Sequence, residues 1–182
     1  VVAYFNENEK FAASWLENLY PAATVDRRSI ADVAGKDVRE FERVHLFGGI
    51  GGWEYALALA GWPAEWQVWT GSCPCQPFSD AGQRKGTKDS RHLWPEMRRL
   101  IAECRPSICF GEQVASQAGR EWLSGVRSQM EALGYAFGAA DLCAAGVAAP
   151  HRRQRLFWVA DAGCQPSWEY RAGKGVEANG QE

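Results

Sequence analysis

The chain has 182 residues, 46% hydrophobic and 23% charged, and its 20 Lys and Arg against 22 Asp and Glu leave a net charge of -2. That length and apolar fraction suit one compact domain with a real core and exclude a chain disordered throughout. No apolar run reaches the roughly 18 residues of a bilayer span and no signal peptide opens the sequence, so no membrane partner is expected. The near-neutral balance excludes bulk electrostatic attraction as the main source of nucleic-acid affinity, which would need a local basic patch or a further domain.

Residues 1–5 are apolar and β-favouring and read as a short buried strand. Phe11, Ala12, Trp15, Leu16 and Leu19 follow at helical spacing until Pro21. Residues 24–33 form a strand or loop with a polar centre, and 35–43 a charged connector. Residues 44–47 read as a second strand that runs into Gly48-Gly49-Ile50-Gly51-Gly52. Trp53, Ala56, Leu57 and Ala60 make the next helical stripe, closed by Gly61 and Pro63. A third strand covers 66–70 and precedes Gly71-Ser72-Cys73-Pro74-Cys75-Gln76-Pro77-Phe78-Ser79. A polar loop over 80–90 leads to a helix marked by Leu93, Met97, Leu100, Ile101 and Cys104. Residues 107–110 read as a strand, with Gly111-Glu112-Gln113-Val114 leaving its end. Trp122, Leu123, Val126, Met130 and Leu133 mark another helix, and 135–143 and 155–160 further strands. Alternation of strands and helices predicts an α/β domain with a largely parallel sheet, its ligands beyond the carboxyl ends of the strands. The polar motifs fall at that edge.

Four segments carry candidate chemistry. The glycine cluster between strand and helix can offer open backbone N–H groups to a nucleotide-like cofactor, although such turns are also common for steric reasons. A dinucleotide site places an acid about 20 residues further on. That position is Gly71, with no carboxylate close by, which disfavours a nicotinamide oxidoreductase. The candidate strand-end carboxylate, Glu7, lies upstream. The two prolines around Cys75 stiffen a loop that could present a nucleophilic thiol, or simply form a rigid turn. Glu112, at the end of an apolar strand, could exchange protons near neutrality if desolvated, or be a solvated acid. Arg152, Arg153 and Arg155 form the dense basic cluster; on an extended chain Arg153 and Arg155 share a face and could fork onto phosphate or a base carbonyl. The six cysteines, Cys73, Cys75, Cys104, Cys109, Cys143 and Cys164, contain no Cys-x-x-Cys pair, so no metal is expected and a reducing, cytoplasmic setting is.

Together these segments resemble the cytosine-C5 DNA methyltransferases. Phe47-Gly48-Gly49-Ile50-Gly51-Gly52 is similar to the family's first motif, and Pro74-Cys75-Gln76-Pro77-Phe78-Ser79 to its Pro-Cys-Gln nucleophile loop. Residues 91–99 resemble the helix segment after that loop. Glu112-Gln113-Val114 resembles Glu-Asn-Val, with Gln113 for Asn, and His151 to Arg155 resembles Gln-x-Arg-x-Arg, with His151 for Gln. Asn6-Glu7 is similar to the second motif, and 26–33, with Ser29-Ile30, to a degraded third. Both precede the glycine motif, as in a permuted, phage-type methyltransferase.

The resemblance implies a Rossmann-like, S-adenosylmethionine-dependent fold and DNA (cytosine-5-)-methyltransferase activity through a covalent Cys-C6 intermediate. It implies catalytic roles for Cys75, Glu112, Arg153 and Arg155. Cofactor contacts are implied for Glu7, Ser29, Ile30, Phe47, Gly49, Ile50, Gly51, Gly52 and Pro74, and substrate contacts for Gln76, Ser79, Gln113 and Val114. Double-stranded DNA is the implied partner, in the cytoplasm of a bacterium or phage-infected cell. A permuted, incomplete catalytic domain is expected over 1–160. A loose tail over 161–182 is expected to begin a recognition region that this chain lacks. An inactive cofactor-binding remnant remains the alternative.

Overall fold

The computed structural model describes residues 2–74 and 93–163. One seven-stranded sheet, in spatial order β2-β1-β3-β4-β5-β7-β6, organises them. Its strands are β1 (Ala3–Asn6), β2 (Thr24–Asp26), β3 (Arg43–Leu46), β4 (Val68–Gly71), β5 (Ile108–Val114), β6 (Ala136–Cys143) and β7 (Gln154–Asp161). The neighbours from β2 to β5 pair in parallel, while β7 runs antiparallel to both β5 and β6. The helices are α1 (Lys10–Leu19), α2 (Gly35–Val38), α3 (Gly52–Leu59), α4 (Trp94–Cys104) and α5 (Gln117–Ala132). The expected α/β architecture with a mostly parallel sheet is the one observed.

Local chemistry sets the helix ends. The Glu9 carboxylate accepts from Ala12 N at 2.7 Å and starts α1. Ser116 Oγ accepts from Gly119 N at 3.0 Å and starts α5, whose chain turns away through Gly134 at φ +82°. α4 opens with Pro95 in its first turn, where a missing N–H costs nothing.

Strand register separates two faces. Tyr4, Val44, Trp69, Cys109 and Ala160 stand side by side across the sheet, and Phe5, His45, Thr70, Phe110 and Val159 form the adjacent row on the opposite face. The first row joins Met97, Leu100 and Ile101 of α4 and Trp122, Val126 and Met130 of α5 in one buried cluster. The second face has a small buried cluster of Ala3, Phe5 and Leu16.

Two expectations need correction. The strand expected to end at Phe110 continues to Val114, because Gly111 to Val114 pair with Trp158 to Arg155 of β7. Glu112 therefore sits inside a strand, not beyond one. Gly111 permits this: a Cβ there would lie 2.2 Å from the Trp158 ring. The connector over 35–43 contains α2, held by the Asp37 carboxylate, which accepts from Ala34 N at 3.0 Å. The tail expected over 161–182 lies outside the described residues beyond Gly163. No helix among the described residues is long and apolar enough to cross a membrane.

Candidate active site

The glycine segment leaves β3 through Phe47 at φ +57° and bends at Gly49 (φ +55°) and Gly51 (φ +81°). Gly51 has no room for a side chain: a Cβ would stand 2.5 Å from the Tyr20 ring. The expected open N–H groups are instead engaged. Gly48 N donates to Asn6 O at 3.0 Å, and Gly51 N to Gly48 O at 3.0 Å. Gly49 N donates to Glu7 Oε2 at 2.8 Å, and Glu7 Oε1 accepts from Glu9 N at 2.8 Å. Both carboxylate oxygens are thus fixed and keep lone pairs for hydroxyl donors. A pyrophosphate would meet this negative charge at the turn, a physical reason against the nicotinamide alternative.

Parallel pairing of β1 with β3 brings Glu7 to Gly49 across 42 positions of sequence. Order along the chain does not matter here, because both strands end at one edge. Beside them lies a cavity of about 110 Å³ bordered by Asn6, Glu7, Ile30, Phe47, Pro74 and Leu93. Ser29 Oγ accepts from Ala31 N at 3.4 Å and caps the turn that carries the buried Ile30. Ile50 points away, 64% exposed, and Gly52 opens α3; neither borders this cavity.

Asn6, next to Glu7 at the end of β1, anchors a neighbouring segment. Buried, its amide donates to Asp26 O at 3.2 Å and Arg28 O at 2.9 Å, pinning the segment that leads to Ile30. Burial alone would raise the Asp26 carboxyl. Hydrogen bonds from Arg28 and Tyr4 outweigh it and hold the group at about 2. Its position inside a strand-end Asn-Glu pair was the available signal.

On the other side of β4, Arg155 Nε meets Glu112 Oε1 at 2.6 Å, each side chain about one fifth exposed. Adjacent antiparallel strands make the pair: Val114 stands opposite Arg155, and Glu112 is two residues along. Arg153 does not share this face. Its φ of +25° breaks the extended backbone just before β7, and its side chain is exposed. Gln113 turns inward instead of towards open space: its Nε2 donates to Cys73 O at 3.5 Å and its Oε1 accepts from Val114 N at 2.9 Å. Cys73 lies in the core, its Sγ 3.9 Å from Met97 Sδ, and burial pushes its thiol far above the usual range. It is therefore no nucleophile. Cys75, Gln76 and Ser79, with Arg84, Lys85 and Lys88 of the polar loop, lie outside the described residues. Among the described residues, no group of three or more His, Cys, Asp or Glu side chains could hold a metal.

The carboxylate-stapled glycine turn lies at the carboxyl ends of the parallel strands, the edge where open α/β sheets bind their ligands. The model of the C-5 cytosine-specific DNA methylase family matches residues 62–166, and the chain belongs to that family. It is 36% identical to the Type II methyltransferase M.HhaI of Haemophilus parahaemolyticus over 90 residues, 47% of this chain and 28% of that protein. It is 30% identical to M.AgeI of Thalassovita gelatinovora over 157 residues, 85% of this chain and 33% of that protein. The chain thus spans about a third of the length of these curated relatives. Its fold is similar to Spodoptera frugiperda DNMT2, with a TM-score of 0.64 at 14% identity over 94% of this chain and 45% of that one. A prophage-encoded methyltransferase of E. coli gives a TM-score of 0.59 at 17% identity, over 88% and 40%.

The methyl donor of this family is S-adenosylmethionine, and the donor set fits it. Ile30, Phe47 and Leu93 offer apolar walls for a base, and Glu7 offers acceptors for ribose hydroxyls. No phosphate cradle is needed, and the turn provides none.

Proposed function

We propose that this chain carries the catalytic core of a DNA (cytosine-5-)-methyltransferase acting on double-stranded DNA, with Cys75 as nucleophile. One observation carries the reading. Ser72 to Pro74 pass between the two halves of the site: Pro74 borders the Glu7 cavity, and Cys73 O is bonded to Gln113, next to Glu112. Cys75 follows directly.

Cytosine C5 is a weak nucleophile, so the ring must first be activated. The Cys75 thiolate adds to C6, and the displaced electron pair spreads to C5 and N3. Glu112 holds N3 and delivers a proton there, while Arg155 binds the base carbonyl and holds Glu112 through the 2.6 Å contact. Glu7, Ile30 and Phe47 would hold S-adenosylmethionine, which would supply an electrophilic methyl group to C5. Loss of the C5 proton to a base then returns the C6–S electron pair to sulfur, and Glu112 takes back the N3 proton. The base must leave the duplex to reach these groups. Residues 1–160 form the catalytic part in this proposal, with DNA recognition supplied by polypeptide outside it.

The test is tritiated methyl transfer to duplex DNA and to RNA, with and without an added recognition domain. It is paired with covalent trapping by a 5-fluorocytosine duplex in the presence of S-adenosylmethionine. Label in DNA and a trapped adduct that Cys75→Ser abolishes are expected. An adduct that survives Cys75→Ser overturns the nucleophile. Cofactor binding without transfer under every condition identifies an inactive remnant.

A further inference from the structure

We infer that Trp53 and Ser72 form a positioning pair that sets the angle at which the Cys75 loop leaves the sheet; the inference rests on the nucleophile reading above. Trp53 Nε1 donates to Ser72 Oγ at 3.0 Å. Trp53 lies in the first turn of α3, immediately after the glycine segment, so this bond ties the cofactor turn to the start of the nucleophile loop. The indole is fixed from two sides, stacked on Phe110 at 6.0 Å and edge-on to Phe157 at 6.1 Å. Those rings stand on β5 and β7, the strands that carry Glu112 and Arg155.

Gln113 grips the same stub from the other face of the sheet, through Cys73 O at 3.5 Å. Two consecutive residues are therefore held from opposite faces, and a chain gripped at two successive points has little freedom to rotate. In this inference Trp53 and Ser72 act on the loop and not on the base. Their effect reaches the reaction through the direction of the thiol, and a misplacement of about 1 Å costs about 100-fold in rate.

The pair is tested with the full chain by three variants, Trp53→Phe, Ser72→Ala and the double variant, with Ser72→Thr as the rescue. Phe keeps the ring contacts and Thr keeps the hydroxyl. Trapping on the 5-fluorocytosine duplex should slow about 10- to 100-fold in both single variants, with S-adenosylmethionine affinity unchanged. The double variant should lose nothing more, since the bond is already gone, and Ser72→Thr should restore the rate. Alkylation of Cys75 by iodoacetamide, followed by peptide mass spectrometry across pH, supplies a readout without DNA. Both single variants and the double should show one common change in rate and pH midpoint, reversed in Ser72→Thr. Losses that add in the double variant, or four identical alkylation profiles, overturn the pairing. If the unaltered chain traps no DNA even with an added recognition domain while the alkylation profiles shift together, the methyltransferase reading fails and the positioning pair stands.

Discussion

The two faces of the sheet do different work. Under α2, α4 and α5 lies a continuous core in which Val38, Trp69, Met97, Leu100 and Met130 are fully buried. The opposite face is covered by α1 and α3 and stays half-open over Phe110 and Phe157. Beside its small apolar cluster lies a buried polar network. His45, 1% exposed, stacks on Phe5 and reaches Thr70 Oγ1 at 2.8 Å and Glu54 Oε2 at 2.9 Å, while Arg43 bonds the other Glu54 oxygen at 2.5 Å. By strand alternation Glu112 and Arg155 belong to this second face as well. Charged groups keep room and water on the open face, while the closed face holds the fold and lends Ile30, Phe47 and Leu93 to the cavity beside Glu7.

The comparison breaks most visibly on the closed face. Leu100→Ala should cost about 3 kcal/mol, the usual loss for emptying a buried leucine site, and lower Tm by about 6–12 °C in thermal unfolding. A loss under 1 kcal/mol would mean that this face is loosely packed.

A smaller effect is expected at the network on the open face. Glu54→Gln should cost about 2 kcal/mol by removing a charge-assisted bond from Arg43. Burial lowers the His45 pKa, so the unfolded chain takes up a proton at pH values where the folded chain does not. That stability is complete above 6.5 and is lost as pH falls below it. Burial would raise the Glu54 carboxyl, but His45 and Arg43 hold it below 4.5, which adds a second loss at lower pH. Urea unfolding of the unaltered chain should weaken by up to about 1.4 kcal/mol per pH unit just below 6.5. His45→Gln should flatten that upper slope and weaken the lower one, which Arg43 then sustains.

The smallest effect belongs to the outer stripe of α1. Phe11, 70% exposed, stacks on Trp15 at 6.3 Å with little burial to lose. Phe11→Ser should change stability by no more than about 0.5 kcal/mol. A larger loss in denaturant titration would show that this stripe is covered in solution.

Much of the site was legible because it is written in short strings. Pro74-Cys75-Gln76, the glycine run and Glu7 each carry local geometry or chemistry in adjacent residues. The extent of β5 was not legible, since Gly111 to Val114 look like a strand exit until an antiparallel partner pairs with them. Nor was Arg153, whose positive φ contradicts the simple alternation of an extended chain. The His45–Glu54 network left one signal, a histidine inside an apolar strand, but its partners come from β4 and α3. Gln113 in place of Asn could be seen; the carbonyl it holds, 40 positions away, could not.

The sequence by itself determined the order and type of most elements, the family motifs and the identity of the nucleophile candidate, because periodicity, turn residues and motif strings are local. Only the tertiary structure decided that Glu7 staples the glycine turn, that Arg155 and not Arg153 meets Glu112, and that Cys73 belongs to the core. Those outcomes depend on which strands lie side by side and in what register, and side-chain contact across a sheet is a long-range property that no window of sequence contains.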